Sequence, residues 1–505
     1  MSTLEVVADI FDGYRLARAW DEMFAAPGKP RAAYDALVSV LQPMDPGELR
    51  FRADQLARVF TDRGVTYDYA GEERPFPLDL IPRVIDAVEW DLVARGVKQR
   101  VHALEAFLAD VYGAGHAFDD AVVPWRLVFT SEKFRREVAG IIPPNGVRVP
   151  SGVSYVIENR LAMTRTFPAL FADHRVHQVD EYPSRLLGAL RAAAPHGLAD
   201  PFVVVLTPGV HNAAYFEHTL LARLMGVELV EGRDLFCWRN RVYVHTTHGR
   251  RPVDVIYRRV DDDWLDPMQF RPDSLLGCPG LINAARAGNV TIANAIGNGV
   301  ADDKLIYTYL PDLIRYYLGE EPLLENVESY RLDDPDVLAW VLGSLDQLVL
   351  KPVDGAGGAG IVIGPHATDE DLADVKVKVA ANPRGWMAQR PVALSTSPVL
   401  VGEKLAPRHI DLRPFAVNDG DDVWVLPGGL TRVALPEGEL KVNSSQGGGS
   451  KDTWVVISPG GTTPPVTPPH VGTARPPVPP SLAPAPAPGH AQDMMAVGRQ
   501  SGPDQ

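Results

Sequence analysis

Residues 347–364 read QLVLKPVDGAGGAGIVIG, in which two runs of residues typical of β-strands flank a loop made almost entirely of glycine and alanine. The loop glycines Gly355, Gly357, Gly358 and Gly360 match the string G-x-G-x-x-G, but a dinucleotide fingerprint opens a helix, and here a strand follows. A P-loop is excluded as well, because no Lys-Ser or Lys-Thr follows the last glycine. The pattern predicts a strand, a glycine-rich hairpin and a second strand.

A lysine, Lys351, stands at the base of this hairpin on the strand side. Backbone N–H groups of a glycine loop can approach phosphate oxygens closely because no Cβ stands in the way, and an ammonium group at the base neutralises phosphate charge. The alternative is a flexible surface hairpin with a solvated lysine. We favour the phosphate interpretation and predict that Lys351 and the loop glycines bind a nucleotide.

Composition excludes several classes of protein. The chain has 505 residues, 46% of them hydrophobic, and a formal net charge of −15, so it lacks the basic footprint of a protein that binds nucleic acid or an anionic membrane. Two cysteines argue against a disulfide framework. No apolar run approaches the roughly 18 residues of a membrane span, and the first residues do not resemble a signal peptide. We therefore expect a cytoplasmic protein.

Patterning along the chain predicts a mixed α/β fold. Residues 17–111 space their apolar side chains as helices do, and Pro77 and Pro82 are expected to begin or interrupt helices there. From residue 201 the chain alternates strand, helix and strand, which is a βαβ unit, and a hairpin is predicted to turn at Arg239 and Asn240. Short strands dominate residues 347–457. Proline and alanine dominate residues 459–505, which we predict to be a disordered tail.

Polar residues recur on the strands after the glycine loop. Asp411 and Arg413 are two apart on one strand and so face the same side. Each is ordinary alone: Asp411 and Arg413 can form a surface pair, and Asn443 can be a turn residue. Taken with the loop they predict a nucleotide cleft, whose further members are Gln389, Arg432, Asn443, Gln446 and Lys451.

Several long segments resemble one family. The stretches GAGGAG after Lys351, MAQRPVALST around Gln389, RHIDLRPFAV, LPGGLTRVAL and NSSQGGGSKDTWV are similar to the circularly permuted ATP-grasp proteins, bacterial relatives of the glutathionylspermidine synthase group. The resemblance implies an ATP-grasp fold in rotated chain order. Its expected parts are a helical N-terminal region with part of the permuted grasp (1–150), a Rossmann-like substrate domain (151–335), the ATP-binding grasp subdomains (336–458) and the tail (459–505).

The resemblance also implies a reaction, which is ATP- and Mg²⁺-dependent ligation of a carboxylate to an amine through an acyl phosphate. Lys351, the glycine loop and Asp411 with Asn443 would bind the nucleotide, Gln389 would lie near the adenine, and Arg413 and Arg432 would act in catalysis. The substrates, small molecules or peptides, would sit near Asn212 and Tyr215 or near Arg148 and Ser151. For Glu217 and His218, a solvated helix face is at least as good an interpretation.

The sequence departs from the family at one point. Family members carry a strand pair between PPNGV and RVPSG, and here Val147 is followed directly by Arg148. The missing pair holds the family's magnesium ligands, so we assign no metal ligand; Glu158 and Asn159 lie in a helical stretch, and Asp411 and Asn443 are only partial substitutes. The functional hypotheses are therefore a ligase, a catalytically impaired nucleotide-binding protein on the same scaffold, and a binding module that uses no nucleotide.

Overall fold

The computed structural model describes residues 10–69, 72–138, 141, 150–173, 175–354, 360–440, 442 and 448–457. The fold is mixed α/β, as expected. Its strands are β1 (Phe24–Ala26), β2 (Lys29–Pro30), β3 (Thr66–Tyr69), β4 (Glu72–Pro75), β5 (Leu78–Asp86), β6 (Val203–Leu206), β7 (Glu228–Val230), β8 (Leu235–Trp238), β9 (Arg241–Thr246), β10 (Gly249–Pro252), β11 (Val255–Arg258), β12 (Thr291–Ala293), β13 (Ser329–Arg331), β14 (Val349–Pro352), β15 (Val362–Ile363), β16 (Trp386–Gln389), β17 (Thr396–Val401), β18 (Lys404–Arg413), β19 (Ala416–Asn418), β20 (Val423–Val425), β21 (Leu430–Val433) and β22 (Gly449–Val456).

The α-helices lie between these strands and cover the sheets. They are α1 (Asp35–Leu41), α2 (Pro46–Asp62), α3 (Ala87–Val111), α4 (His116–Asp119), α5 (Trp125–Phe129), α6 (Val153–Thr166), α7 (Pro168–Asp173), α8 (Tyr182–Ala192), α9 (Tyr215–Met225), α10 (Asp262–Leu265), α11 (Leu281–Arg286), α12 (Gly299–Asp302), α13 (Lys304–Tyr307), α14 (Leu310–Leu318), α15 (Pro335–Leu342) and α16 (Asp369–Ala381). No helix among the described residues is long and apolar enough to cross a bilayer. The predicted tail at 459–505 lies outside the described residues.

The largest sheet has five strands in the order β17-β18-β21-β22-β5, so an N-terminal strand completes a sheet built from the C-terminal part of the chain. β5 runs parallel to β22. The prediction of a mainly helical region over 17–111 is wrong here, because Leu78–Asp86 is extended. Its apolar residues lie on both faces of the strand and are covered from both sides, so their spacing does not alternate as in a half-buried strand.

Pro77 directly precedes β5 and Pro82 lies inside it, so neither residue begins or interrupts a helix. The pairing register of β5 with β22 shifts between Lys451 and Thr453, which are partners of Asp79 and Arg83 respectively. Pro82 thus lies at a bulge on an end strand of the sheet, where its missing N–H costs no ladder hydrogen bond.

Lys451, which the sequence predicted for the nucleotide cleft, is instead fully buried and holds this sheet together. Its Nζ donates to Asp79 Oδ1 at 2.5 Å on β5, to the carbonyl of Ile81 at 2.9 Å and to the carbonyl of Pro398 at 2.7 Å on β17. Burial lowers the pKa of Lys451, and the Asp79 carboxylate opposes that shift. The backbone N–H of Leu400 donates to the other oxygen of Asp79 at 2.9 Å, so the two end strands of the sheet meet at this ion pair.

The predicted βαβ unit is confirmed. β6, α9 and β7 follow in order, and the parallel sheet runs β12-β11-β6-β7. The predicted hairpin is confirmed as well, because Arg239 and Asn240 both have positive φ, 51° and 56°, between β8 and β9. Two residues with positive φ form the turn type that matches the twist of paired strands.

A four-stranded sheet in the order β13-β16-β14-β15 carries Lys351 and Gln389. Strands dominate residues 347–457 as predicted, but the 13-residue helix α16 covers part of that range. Thr368 and Asp371 form a reciprocal capping box at its start. The spacing T-x-x-D before an apolar pattern is a helix-start signal that the sequence already contains.

Glu217 and His218 are buried, so the interpretation of a solvated helix face is wrong. Glu217 forms an ion pair with Arg259 at 2.8 Å and accepts hydrogen bonds from the N–H of Gly152 and from the Ser154 hydroxyl. His218 Nδ1 lies 2.9 Å from the Thr207 hydroxyl. These contacts hold α9 against the start of α6 and against the ends of β6 and β11. The residues of this network are far apart in the sequence.

We expect Asp79→Ala to lower the free energy of unfolding by about 3–5 kcal/mol, because the buried Lys451 ammonium loses its carboxylate. Urea unfolding measures the change. Asp91→Ala is the matched control, since Asp91 pairs with Arg95 on an exposed helix face and should cost less than about 1 kcal/mol. Equal losses in the two variants would contradict the role given to Lys451.

Burial and the nearby Arg259 lower the pKa of His218 to about 3. The unfolded chain therefore gains a proton as the pH falls through about 6.5, while the folded chain keeps this imidazole neutral until about pH 3. We expect His218 to make the protein about 2 kcal/mol less stable at pH 5 than at pH 7. His218→Gln should remove that part of the acid sensitivity, and the exposed His248→Gln should not; identical pH profiles for both would refute the assignment.

Candidate active site

Lys351 and Gln389 lie together on neighbouring antiparallel strands, β14 and β16. The Lys351 ammonium donates a hydrogen bond to Gln389 Oε1. Gln389 is buried, and its Nε2 donates to the Ser329 hydroxyl at 2.7 Å, which fixes the orientation of the amide. The lysine is therefore held in place by a neutral acceptor.

The surroundings of Lys351 are positively charged. Burial and the nearby Lys304 lower the pKa of Lys351. Lys304 Nζ donates to the Val353 carbonyl at 2.7 Å, which brings it to the end of β14. Among the described residues no carboxylate forms an ion pair with Lys351. A half-buried ammonium with a cationic neighbour is a place where an added anion gains electrostatic energy.

One glycine of the predicted loop, Gly360, falls within the described residues, and Gly355, Gly357 and Gly358 lie outside them. Gly360 has φ +73°, and a Cβ built on it would lie 3.1 Å from Cγ of Pro352. A side chain at this position is disfavoured both by backbone conformation and by space. The end of the hairpin therefore requires glycine beside the strand that carries Lys351.

Asp411 and Arg432 face each other across β18 and β21. Arg432 Nε donates to Asp411 Oδ1 at 3.0 Å, and a second guanidinium nitrogen donates to Oδ2. Asp411 and Arg413 occupy alternate positions of β18, as the sequence predicted, and the cross-strand register adds Arg432 as a partner of Asp411. Both oxygens of Asp411 are engaged, and its charge is neutralised by Arg432.

Arg413 and Ser151 line a cavity of about 600 Å³. It lies beside the carboxyl ends of β11 and β12 and between α3 and α8, where open parallel sheets bind ligands. Its wall is mainly apolar. Its polar side chains are Glu105, Ser151, Tyr182, Tyr257, Asn294, Arg413 and Asn418. Lys351 and Gln389 are not among the residues that line this cavity.

Of the remaining predicted substrate residues, Asn212 and Tyr215 lie together in the turn that leads from β6 into α9. The Asn212 side chain accepts from the N–H of Ala214 at 2.9 Å, and Tyr215 is the first residue of α9. Arg148, Asn443 and Gln446, with the junction of Val147 and Arg148, lie outside the described residues. Their roles stay predictions.

Glu158 and Asn159 are buried on α6, the helix that the sequence predicted for them. Glu158 forms an ion pair with Arg63 at 2.5 Å, and Asn159 donates to the Ser450 hydroxyl at 3.3 Å. Within the described part of the chain, no three His, Cys, Asp or Glu side chains gather as a metal cluster. Sequence reasoning missed Lys304, whose place beside β14 follows from tertiary packing alone.

Residues 145–434 match the family described as circularly permuted ATP-grasp type 2, and residues 82–149 match a second family of circularly permuted ATP-grasp proteins. An uncharacterized protein of Mycobacterium tuberculosis is 58% identical over 475 residues, covering 88% of this chain and 86% of that protein. An uncharacterized protein of Synechocystis is 47% identical over 465 residues, covering 86% and 97%.

A protein of Frankia casuarinae with the provisional name glutamate–cysteine ligase 2-2 is 44% identical over 463 residues, covering 86% of this chain but 53% of that protein. The solved structure of a glutathione synthetase-like effector of Globodera pallida has a TM-score of 0.52 at 9% identity, covering 82% of this chain and 98% of that one, and supports the fold alone. From the family match and the extent of the relatives, the chain belongs to the circularly permuted ATP-grasp type 2 family.

Proposed function

We propose that this protein is an ATP-dependent ligase that joins a carboxylate to an amine. Membership of an ATP-grasp family and the provisional name of the Frankia relative support this reaction class. That relative is about twice as long as the matched region, so glutamate and cysteine are not carried over as substrates. The resemblance to the glutathionylspermidine synthase group widens the candidate substrates to peptides, polyamines and amino acids.

The observation that carries the proposal is the ammonium of Lys351, which has no carboxylate partner among the described residues. It is half-buried beside Lys304, next to the required glycine Gly360, and oriented by Gln389. A triphosphate at this position supplies the missing negative charge, and a preorganised cation costs no reorganisation when charge moves during phosphoryl transfer. The opposing interpretation, a solvated surface lysine, does not account for a side chain that is half-buried and hydrogen-bonded to the buried Gln389.

The proposed reaction has two steps. A carboxylate oxygen attacks the γ-phosphorus of ATP, the bond to the β–γ bridging oxygen breaks, and ADP leaves an acyl phosphate on the substrate. The amine nitrogen then attacks the acyl carbon, phosphate departs with the electron pair of the broken C–O bond, and the nitrogen loses a proton. Lys351 would stabilise charge on the phosphates in the first step, and Arg413 would orient the carboxylate from the 600 Å³ cavity.

Magnesium would neutralise phosphate charge in such a reaction. Asp411 fits the role of a ligand poorly, because both its oxygens accept hydrogen bonds from Arg432. Arg432 is likewise committed to Asp411 and would contribute to catalysis only by fixing that strand pair. We therefore derive no step through the metal.

A second candidate function is a catalytically impaired protein that still binds nucleotide. The match to the mycobacterial protein is 475 residues long, but it covers only 88% of the 505 residues of this chain, which is fewer than 475. Part of the matched region of that relative therefore has no counterpart in this chain. The shortfall is roughly 30 residues, enough for two strands and their connections. The two family matches meet at residues 145–149, beside the junction of Val147 and Arg148 where the strand pair is expected.

We expect Lys351→Ala to weaken ATP binding at least about tenfold, since a charge-assisted phosphate contact is worth roughly 1.5–3 kcal/mol. Isothermal titration with ATP measures the affinity. Lys376→Ala, which removes an exposed lysine on α16, is the matched control and should bind normally. Equal affinities in the two variants would reject the assignment of Lys351. No binding by the unaltered protein would favour the module that uses no nucleotide.

Restoring the strand pair missing between Val147 and Arg148 tests whether its loss impairs catalysis. Insertion of the family's strand pair between Val147 and Arg148 should raise magnesium-dependent ADP release in the presence of amine and carboxylate substrates, because that pair carries the family's metal ligands. A spacer of the same length made of glycine and serine is the control. If the unaltered chain already releases ADP as fast as the repaired chain, the impaired alternative is wrong and the ligase is complete as it stands.

A further inference from the structure

The three-stranded sheet β10-β9-β8 has one face packed on the protein and one face in solvent. Leu235, Val242 and Val244 point inward and are buried in a core cluster. The alternate residues point outward, because successive side chains on a strand face opposite sides. His245 also points outward, against the ring of Phe236. From this outward set and the turn residue Arg239 we define the arginine–aromatic face as Phe236, Trp238, Arg239, Arg241, Tyr243 and Arg250.

The charge of this face contrasts with the rest of the molecule. Four arginines and no aspartate or glutamate occur between Leu235 and Val253, in a chain whose net charge is −15. Within the described part of the protein, Arg239, Arg241 and Arg250 form no ion pair. Exposed arginines elsewhere differ in this respect: Arg271 pairs with Asp273, whereas Arg165 and Arg223 form no ion pair among the described residues. This face is distinguished by three such guanidinium groups that lie together around the exposed ring of Trp238.

The guanidinium groups are held in position by aromatic rings. Arg239 and Arg250 lie over the ring of Trp238, with centroid distances of 4.4 Å and 4.8 Å, and Arg250 also lies 5.6 Å from the ring of Tyr243. Stacking of this kind fixes the plane of a guanidinium and leaves its N–H edge free to meet a carboxylate in two parallel hydrogen bonds. Because the stacked arginines are already ordered in the free protein, binding a ligand costs less side-chain entropy.

From this face we propose a docking site for an acidic peptide segment of a partner protein, separate from the nucleotide site. Several arginines around one tryptophan match two or three carboxylates on an extended chain, whose alternate side chains are about 7 Å apart. Single-stranded nucleic acid fits less well, because bases bind by stacking on open aromatic faces, and the Trp238 ring already carries two guanidinium groups. The site does not depend on whether the protein is a ligase.

The test uses the full chain and a fluorescein-labelled peptide of alternating glutamate and glycine, with a glutamine–glycine peptide as the matched probe. Fluorescence anisotropy should show saturable binding of the glutamate peptide, at least tenfold weaker binding of the glutamine peptide, and loss of affinity as salt rises. The same measurement with an oligothymidylate of equal charge decides between the two classes of ligand. Tighter, saturable binding of the oligothymidylate would overturn the proposal.

Two triple variants separate this face from general charge. Arg239→Gln, Arg241→Gln and Arg250→Gln together should weaken peptide binding at least tenfold. Arg185→Gln, Arg271→Gln and Arg315→Gln together change the net charge equally at exposed, paired sites and should leave binding within twofold. Arg250→Lys keeps the charge but loses the planar fork, and should weaken binding at least threefold in a normally folded protein. Equal effects of the two triple variants, or no effect of the first, would overturn the proposal.

Discussion

A buried ammonium group joins three separate parts of this chain. Lys451 on β22 reaches Asp79 on β5 and the Pro398 carbonyl on β17, so the N-terminal strand and two C-terminal strands share one cation. A cation without contact to water must be compensated where it lies, and only the assembled sheet provides the acceptors. The permuted order of the fold thus has a physical counterpart: β5 is distant in sequence, yet the sheet is incomplete without it.

Lys351 presents the opposite case on the other sheet. Both lysines have a pKa lowered by burial. Lys451 has a carboxylate partner, whereas the partners of Lys351 among the described residues are the amide of Gln389 and the like charge of Lys304. A buried cation that is paired with a carboxylate stabilises the fold, whereas a buried cation without such a partner favours the binding of an anion. This difference, rather than the glycine string, separates a structural lysine from a candidate nucleotide site and supports the proposed ligase.

Local chemistry made part of the structure predictable. The hairpin could be predicted from the turn at Arg239 and Asn240, and the βαβ unit could be predicted from the spacing of apolar residues along the chain. The strand Leu78–Asp86 was missed because its partner, β22, lies at the other end of the chain. The pairing of Asp411 with Arg432 needs the register of two strands, which no spacing within one strand reveals. The burial of Glu217 likewise depends on Arg259, which tertiary packing alone brings near it.

Hydrogen–deuterium exchange with and without saturating ATP tests the central claim, that β14 and β16 hold the nucleotide. We expect slower amide exchange in peptides that contain Val349–Pro352 and Trp386–Gln389, where Lys351 and Gln389 meet. Peptides over β8, β9 and β10 should be unchanged, because that face is separate from the nucleotide site. ATP binding that slows exchange elsewhere and leaves β14 and β16 unaltered would contradict the account.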